Sequence, residues 1–277
     1  MLTDIDAQTL NQYLQTCIVL SKVAGKQILK VYYATQQVEY SKKEDDSPLT
    51  QADLLSHQTI IKGLSELTPN IPILSEESTK IDWEIRQSWQ TYWLIDPLDG
   101  TKEFIKKNGE FTVNIALIHQ HKVILGVVFA PDLKRLYYAS HGNGAFMINE
   151  TQPAQALHTK NTLSKPINIV GSRSHLSERM ATFLKAQAAH KMVVMGSSLK
   201  LCLVAEGRAD IYPRLGLTSE WDTAASQCVV EEAGGKVTKI DGSDLEYNHK
   251  DSLLNPEFFV FSKTVGLTIF NLSTILK

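Results

Sequence analysis

Four groups of acidic residues fall where this sequence passes from an apolar run into a turn. They are Asp53 in "LTQAD", Glu76 and Glu77 in "LSEES", Asp96 and Asp99 in "WLIDPLDGTKEF", and Asp222 in "SEWDTAA". Each has an innocent reading: Asp53 as a helix-start residue, Glu76 and Glu77 as a solvated pair, Asp-Pro and Asp-Gly as turn formers, Asp222 as an N-cap. Their arrangement points further. Glu76 and Asp96 both close apolar stretches that read as strands, and α/β folds place ligand sites at such strand ends. Carboxylates gathered there repel one another unless cations neutralise them. An all-oxygen set with no nearby His or Cys pattern selects hard cations, Mg²⁺ first. Gly100 and Thr101 then open a predicted helix, whose free N–H groups and positive dipole end suit a phosphate oxyanion. Carboxylates, a hard cation and a phosphate-accepting helix start describe metal-assisted hydrolysis of a phosphate ester.

The elements that must position these groups follow from the hydrophobic pattern. Leu10, Leu14, Cys17, Ile18, Val23, Ile28 and Val31 recur at helical spacing and predict one long helix entered at Asp4 or Asp6. "KKEDDSPLTQAD" interrupts it, and a second helix is predicted from Gln51 to Leu67. "IPILSEES" reads as a short strand ending at Glu76 and Glu77. From Phe111 to Ile148 β-rich runs alternate with turn residues, the pattern of an antiparallel meander. "HTKNTLSKPIN" is a polar boundary, after which strand and helix alternate. Helices are predicted from about Ser177 to Gln187, across Leu199 to Glu206, and through "DTAASQCVVEEAGG", with strands "INIVG", "KMVV", "ADIYPR" and "KVTKI" between and after them. The expected fold is α/β with an α+β first half, a layered sandwich of two halves, 1–160 and 161–277. The first half carries most of the acidic residues; the second carries Asp222.

The chain has 277 residues, 43% hydrophobic and 21% charged, with a formal net charge of −2, which suits a globular enzyme. So small a charge gives no electrostatic case for nucleic acid or an anionic membrane as the main partner. Cys17, Cys202 and Cys228 show no C-x-x-C spacing and read as small buried hydrophobes in a reducing compartment. The N-terminal stretch is too polar and acidic for a signal peptide, and no apolar run is long enough to span a bilayer. Cytoplasmic residence is the expectation.

"DPLDGTKEF", with "SEES" before it and "EWDTAA" after it, resembles the inositol monophosphatase superfamily of Mg²⁺-dependent, lithium-sensitive phosphatases, and all three motifs stand in the family's order. Within it, "DGTKEFIKKNGEFTVNIALI", "GSSLKLCLVAEGRADIYPR" and "TSEWDTAA" resemble the bacterial 3'(2'),5'-bisphosphate nucleotidases. The resemblance implies the superfamily's layered αβαβα sandwich and two or three Mg²⁺ ions. It implies that Asp96 bridges two metals, that Asp99 and Asp222 hold the second, and that Glu76 and the Leu98 carbonyl hold the first. Asp53, with Glu76, would support a third ion. Asp53 and Thr101 match the family's water-activating pair, with Glu77 orienting the water or its metal, and the Gly100 and Thr101 amides holding the scissile phosphate. Asp222 would also border the substrate. His175, Ser197, Lys200 and Arg214 match positions that contact the nucleoside and second phosphate of an adenosine bisphosphate, and Lys42 or Lys43 would near the phosphate. Two other functions stay open on the residues alone: an inositol or sugar monophosphatase, and a phosphate-metabolite-binding module without turnover. Monomer or homodimer, and loose association with the inner face of a membrane, are likewise left open.

Overall fold

The computed structural model describes residues 5–34, 39–42, 48–78, 80–172, 177–267 and 270. His175, Lys43, Asp4 and the side chain of Lys42 lie outside the described residues. The long amphipathic pattern is helix α1 (Ala7–Ala34), begun by Asp6, whose carboxylate accepts the Thr9 N–H at 2.8 Å. Val23 departs from the expected inner face: it is 39% exposed, because it sits five residues beyond Ile18 and so turns away from the buried stripe. A ribbon of β1 (Ser41–Lys42) and β2 (Pro48–Leu49) leads into α2 (Gln51–Leu67), β3 (Ile73–Ser75) and the one-turn helix α3 (Trp83–Arg86). Then come β4 (Thr91–Asp99), α4 (Thr101–Ile105) and the meander β5 (Thr112–His119), β6 (Lys122–Ala130), β7 (Arg135–Ser140), β8 (Ala145–Asn149) and β9 (Gln155–Ala156). The second half runs β10 (Ile167–Gly171), α5 (Glu178–Ala186), β11 (His190–Val194), α6 (Leu199–Ala205), β12 (Ile211–Arg214), a 3₁₀ turn at Glu220–Asp222, α7 (Ala224–Glu232), β13 (Gly235–Lys239) and β14 (Phe258–Ser262).

Two large sheets result. The first has the order β3-β4-β5-β6-β7-β8-β9, with β3 parallel to β4 and every other pairing antiparallel. The second has the order β11-β10-β12-β14-β13, in which β10 runs parallel to β11 and β12. Strand β14, an unbroken "FFVFS" run that the strand–helix alternation does not announce, pairs antiparallel with β12 and β13.

The two-residue alternation of a strand sets the layers. On β4, Trp93 and Ile95 join Leu14, Ile28, Ile60 and Leu64 of α1 and α2. Tyr92 and Leu94 face the other way, into a cluster with Leu203 of α6, Val229 of α7, and Tyr212 and Val260 of the second sheet. That sheet's far face, with Ile169, Ile211 and Phe259, packs on Phe183 of α5. Helices, sheet, helices, sheet and helix are therefore stacked in turn, an αβαβα sandwich whose middle cluster draws on both halves. Each such buried side chain contributes about 1.5–3 kcal/mol, so the shared middle layer ties the halves into one body. Cys17, Cys202 and Cys228 are free and buried. No helix among the described residues is long and apolar enough to cross a membrane.

Candidate active site

Asp96 and Asp99 stand three residues apart, and in a regular strand they would face opposite sides. A bulge in β4 removes that conflict. Asp96 pairs with Asn114 and Asp99 with Thr112, so three steps on β4 match two on β5. The extra residue restores the parity and turns both carboxylates to one side. Pro97, which has no N–H to lose from the ladder, lies inside the bulge, and the Ser56 hydroxyl donates to its carbonyl at 2.7 Å. Gly100 follows with φ 90°, where a Cβ would come within 3.1 Å of the Glu110 carbonyl oxygen, so glycine closes the turn into α4.

Asp222 arrives from the second half. It does not cap α7; Thr223 occupies that position, and Asp222 ends the 3₁₀ turn, its Oδ2 accepting the Ser219 N–H at 2.9 Å. The N-cap reading is thereby corrected: the carboxylate folds back on its own turn rather than onto the next helix. Carboxylate oxygens of Asp96, Asp99 and Asp222 lie within 4.8 Å of one another. Glu76 extends the parallel pairing of β3, its N–H donating to the Ile95 carbonyl at 3.1 Å, which sets it beside Asp96. Burial first, then the charges of Glu76, Asp99 and Asp222, push the Asp96 carboxyl far above its ordinary value. The Asp222 carboxyl is pushed up to about 8 by burial and then by Asp99, with the Ser219 N–H pulling it back. These carboxylates oppose each other's ionisation, and a bound cation is what relieves that opposition. The residues therefore fit a hard cation held by oxygens alone, the kind of group the sequence implies. Asn114 adds a buried Oδ1 with no hydrogen-bond partner on the same strand pair.

Asp53 is buried on the first turn of α2, where Thr50 donates to its Oδ2 through both N–H (2.8 Å) and hydroxyl (2.6 Å) in a capping box. That leaves Oδ1 toward Thr101, whose hydroxyl lies 3.4 Å from it and 3.3 Å from the Leu98 carbonyl oxygen. Glu77 is half-buried in the turn after Glu76, outside the converging trio.

Ser197, Lys200 and Arg214 line a cleft of about 370 Å³ that also meets Asp99, Gly100 and Asp222. Arg214 is partly committed, one Nη donating to the Leu217 carbonyl. Lys200 Nζ lies 6.0 Å from the Tyr212 ring. The cleft wall brings residues that sequence reasoning missed. Lys102 and Lys106 of α4 and its end face the same space. Ser198 binds Asp99 Oδ2 through its N–H (2.5 Å) and hydroxyl (2.6 Å), with that hydroxyl also 2.7 Å from the Asp222 carbonyl and accepting from Asn114. Ser198 is thus the knot between the two halves of the carboxylate cluster. Its only sequence signal was the doubled serine at the start of a predicted helix. A second opening of about 580 Å³ adjoins the cleft at Asp99, Gly100 and Asp222 and is also lined by Thr101, Pro48 and Leu217.

This fold and this carboxylate cluster define a class. The model of the inositol monophosphatase family matches residues 10–265, and the chain belongs to that family. Among its relatives, it is 49% identical to the 3'(2'),5'-bisphosphate nucleotidase CysQ of Salmonella typhimurium, over 87% of this chain and 96% of that one. It is 46% identical to the CysQ nucleotidase of Escherichia coli K12 over the same shares. The crystal structure of CysQ from Bacteroides thetaiotaomicron, a bacterial member of the inositol monophosphatase family, superposes with a TM-score of 0.79 at 38% identity, covering 91% of this chain and 97% of that one.

Proposed function

We propose that the chain is a Mg²⁺-dependent, lithium-sensitive phosphatase that hydrolyses the 3'-phosphate of 3'-phosphoadenosine 5'-phosphate, giving AMP and phosphate. The observation that carries this reading is the meeting of Asp96, Asp99 and Asp222, two of which line a cleft that Lys200 and Arg214 also line. The carboxylates suit cations and a phosphate; the Lys200 and Arg214 side chains suit a second anion. The similarity to the CysQ nucleotidases supports the same substrate class.

Asp96, Asp99, Asp222, Glu76 and the Leu98 carbonyl would hold two Mg²⁺ ions, and Asp53 with Glu76 a third. Bound Mg²⁺ supplies charge neutralisation at the phosphate and a lower pKa for the attacking water. Asp53 receives that water's proton, with the Thr101 hydroxyl orienting the water between the carboxylate and the Leu98 carbonyl. Glu77 supports the water from the adjoining turn. The Gly100 and Thr101 amides hold the phosphate oxygens. In-line attack needs attacking and leaving oxygens on opposite faces of phosphorus. Thr101 lines one opening at Asp99 and Asp222 and Lys200 lines the adjoining one, which supports attack from the Thr101 side and a nucleoside held on the Lys200 side. The test is phosphate release from 3'-phosphoadenosine 5'-phosphate and from inositol 1-phosphate, with Mg²⁺ and with chelator. A higher kcat/KM on the bisphosphate, lost with chelator, is expected; preference for the inositol ester, or turnover independent of divalent cation, would overturn the reading.

A further inference from the structure

Asp96 and Asp99 belong to the first sheet, whereas Asp222 hangs on a three-residue turn in the second half. Something must hold that turn at a fixed distance from the sheet. The structure shows a buried polar bridge behind it. Arg86 of α3, only 2% exposed, donates from Nη1 to Asn248 Oδ1 at 2.6 Å and to the Lys250 carbonyl at 3.1 Å, and from Nη2 to the Asp251 carbonyl. Asn248 returns a bond from Nδ2 to the Arg86 carbonyl at 2.6 Å, and its N–H donates to Glu220 Oε2 at 2.8 Å. Glu220, 1% exposed, stands two residues before Asp222 on the same turn. Backbone bonds complete the strap: Glu220 N–H to the Leu253 carbonyl (2.8 Å) and Asn255 N–H to the Thr218 carbonyl (2.7 Å).

Burying a guanidinium and a carboxylate this deeply is costly, and apolar replacement of such groups is often neutral or stabilising. Their best-attested use is to fix one arrangement over its neighbours. Here the arrangement in question is the metal site. α3 lies in the connection between β3 and β4, the two strands that deliver Glu76 and Asp96, so Arg86 is anchored to the first-half side of the cluster.

We propose that the Arg86–Asn248–Glu220 bridge is a positioning device that holds the 220–222 turn against the first sheet and so keeps the Asp222 carboxylate within cation-sharing distance of Asp96 and Asp99. It rests on the reading of Asp222 as a cation ligand. The three residues act through the backbone of the turn, and a hard cation is sensitive to such a displacement because its oxygen ligands must stay at short, fixed distances.

Trp221, beside Asp222, allows a test that does not depend on turnover. Tb³⁺ is a hard, oxygen-seeking ion whose emission an adjacent indole sensitises, so Trp-sensitised Tb³⁺ titration reads affinity at this turn directly. Asn248→Ala and Glu220→Ala are each expected to weaken Tb³⁺ binding by ~10–100-fold, the range for residues that orient metal ligands without touching the metal. Glu220→Gln keeps an acceptor for the Asn248 N–H and should recover most of the affinity, and it is the variant to rely on if the alanine forms fold poorly. Phe183→Leu, on the buried face of α5, should lower the melting temperature and leave the titration unmoved. Wild-type affinity in folded Asn248→Ala or Glu220→Ala protein overturns the inference while leaving Asp222 a ligand. If Asp222→Asn itself titrates like wild type, the metal-site reading fails and the inference falls with it.

Discussion

Lys200→Ala separates a bisphosphate enzyme from a general phosphatase. Lys200 is the second residue of α6, half-buried on the cleft wall, with its Nζ 6.0 Å from the Tyr212 ring, and it is not one of the carboxylate trio's hydrogen-bond partners. It is a cleaner probe than Arg214, whose guanidinium also holds the Leu217 carbonyl and whose buried Nε has no partner. Truncating Arg214 would disturb the chain leading to Asp222 as well as any substrate contact. A charge-assisted hydrogen bond is worth about 1.5–3 kcal/mol. Because Lys200 is half-buried and the cleft is open to water, the lower part of that range applies, roughly ten- to thirtyfold in kcat/KM. The assay is a two-by-two comparison: wild type and Lys200→Ala, each on 3'-phosphoadenosine 5'-phosphate and on 3'-adenosine monophosphate. The bisphosphate should lose the full factor, and the monophosphate, which lacks the remote anion, should change less than about twofold. An equal loss on both substrates would refute the argument, since Lys200 would then be acting on folding or on the shared phosphate.

Three further outcomes follow from the site. Asp222→Asn should keep the fold and lower kcat by at least ~100-fold, because a neutral amide is a poor ligand for a hard cation and the lost stabilisation is electrostatic; near-normal turnover at saturating Mg²⁺ would refute it. Thr101→Ala should slow turnover by ~100-fold while sparing Mg²⁺ affinity if the hydroxyl, lying between Asp53 and the Leu98 carbonyl, orients the attacking water as proposed; unchanged kcat with a large loss of Mg²⁺ affinity would assign it the opposite role. Removing divalent cations should make stability fall as pH rises. The folded protein holds protons on Asp96 and on Asp222, the latter up to about 8, that the unfolded chain releases near 3.8. Raised carboxyls contribute stability that is present below the unfolded value and is lost by the folded one. Thermal melts in chelator should therefore decline from about pH 4 toward pH 8, and the gain on adding Mg²⁺ should widen over the same window. An Mg²⁺ increment equal at pH 5.5 and pH 8 would contradict this.

What the sequence made legible was local. The Asp-Gly turn, the helix after Thr50 and the meander depend on neighbours a few residues away and stand where the pattern placed them. The Asp-Pro pair, read as a turn that ends a strand at Asp96, instead lies inside β4, which runs on to Asp99. The bulge in β4 was not legible, because it exists only relative to the register of β5. Nor were Ser198 or the Arg86–Asn248 bond, which join residues 99 apart (Ser198 to Asp99) and 162 apart along the chain. Strand β14 escaped for a different reason: a short, fully buried run carries no period to read.

Asp53 shows why the innocent and the chemical readings of an acidic residue need not compete. Thr50 takes Oδ2 through two hydrogen bonds, so the capping box fixes the rotamer of the carboxylate. With that rotamer fixed, Oδ1 can lie only on the Thr101 side, 3.4 Å from its hydroxyl. The same holds for Asp222, where the Ser219 N–H pins one oxygen and leaves the other to the cluster. In both cases an ordinary helix-start hydrogen bond supplies the preorganisation that a positioned base or ligand requires. A substitution that spares the carboxylate but breaks the cap, such as Thr50→Val, should consequently reach the chemistry through geometry alone.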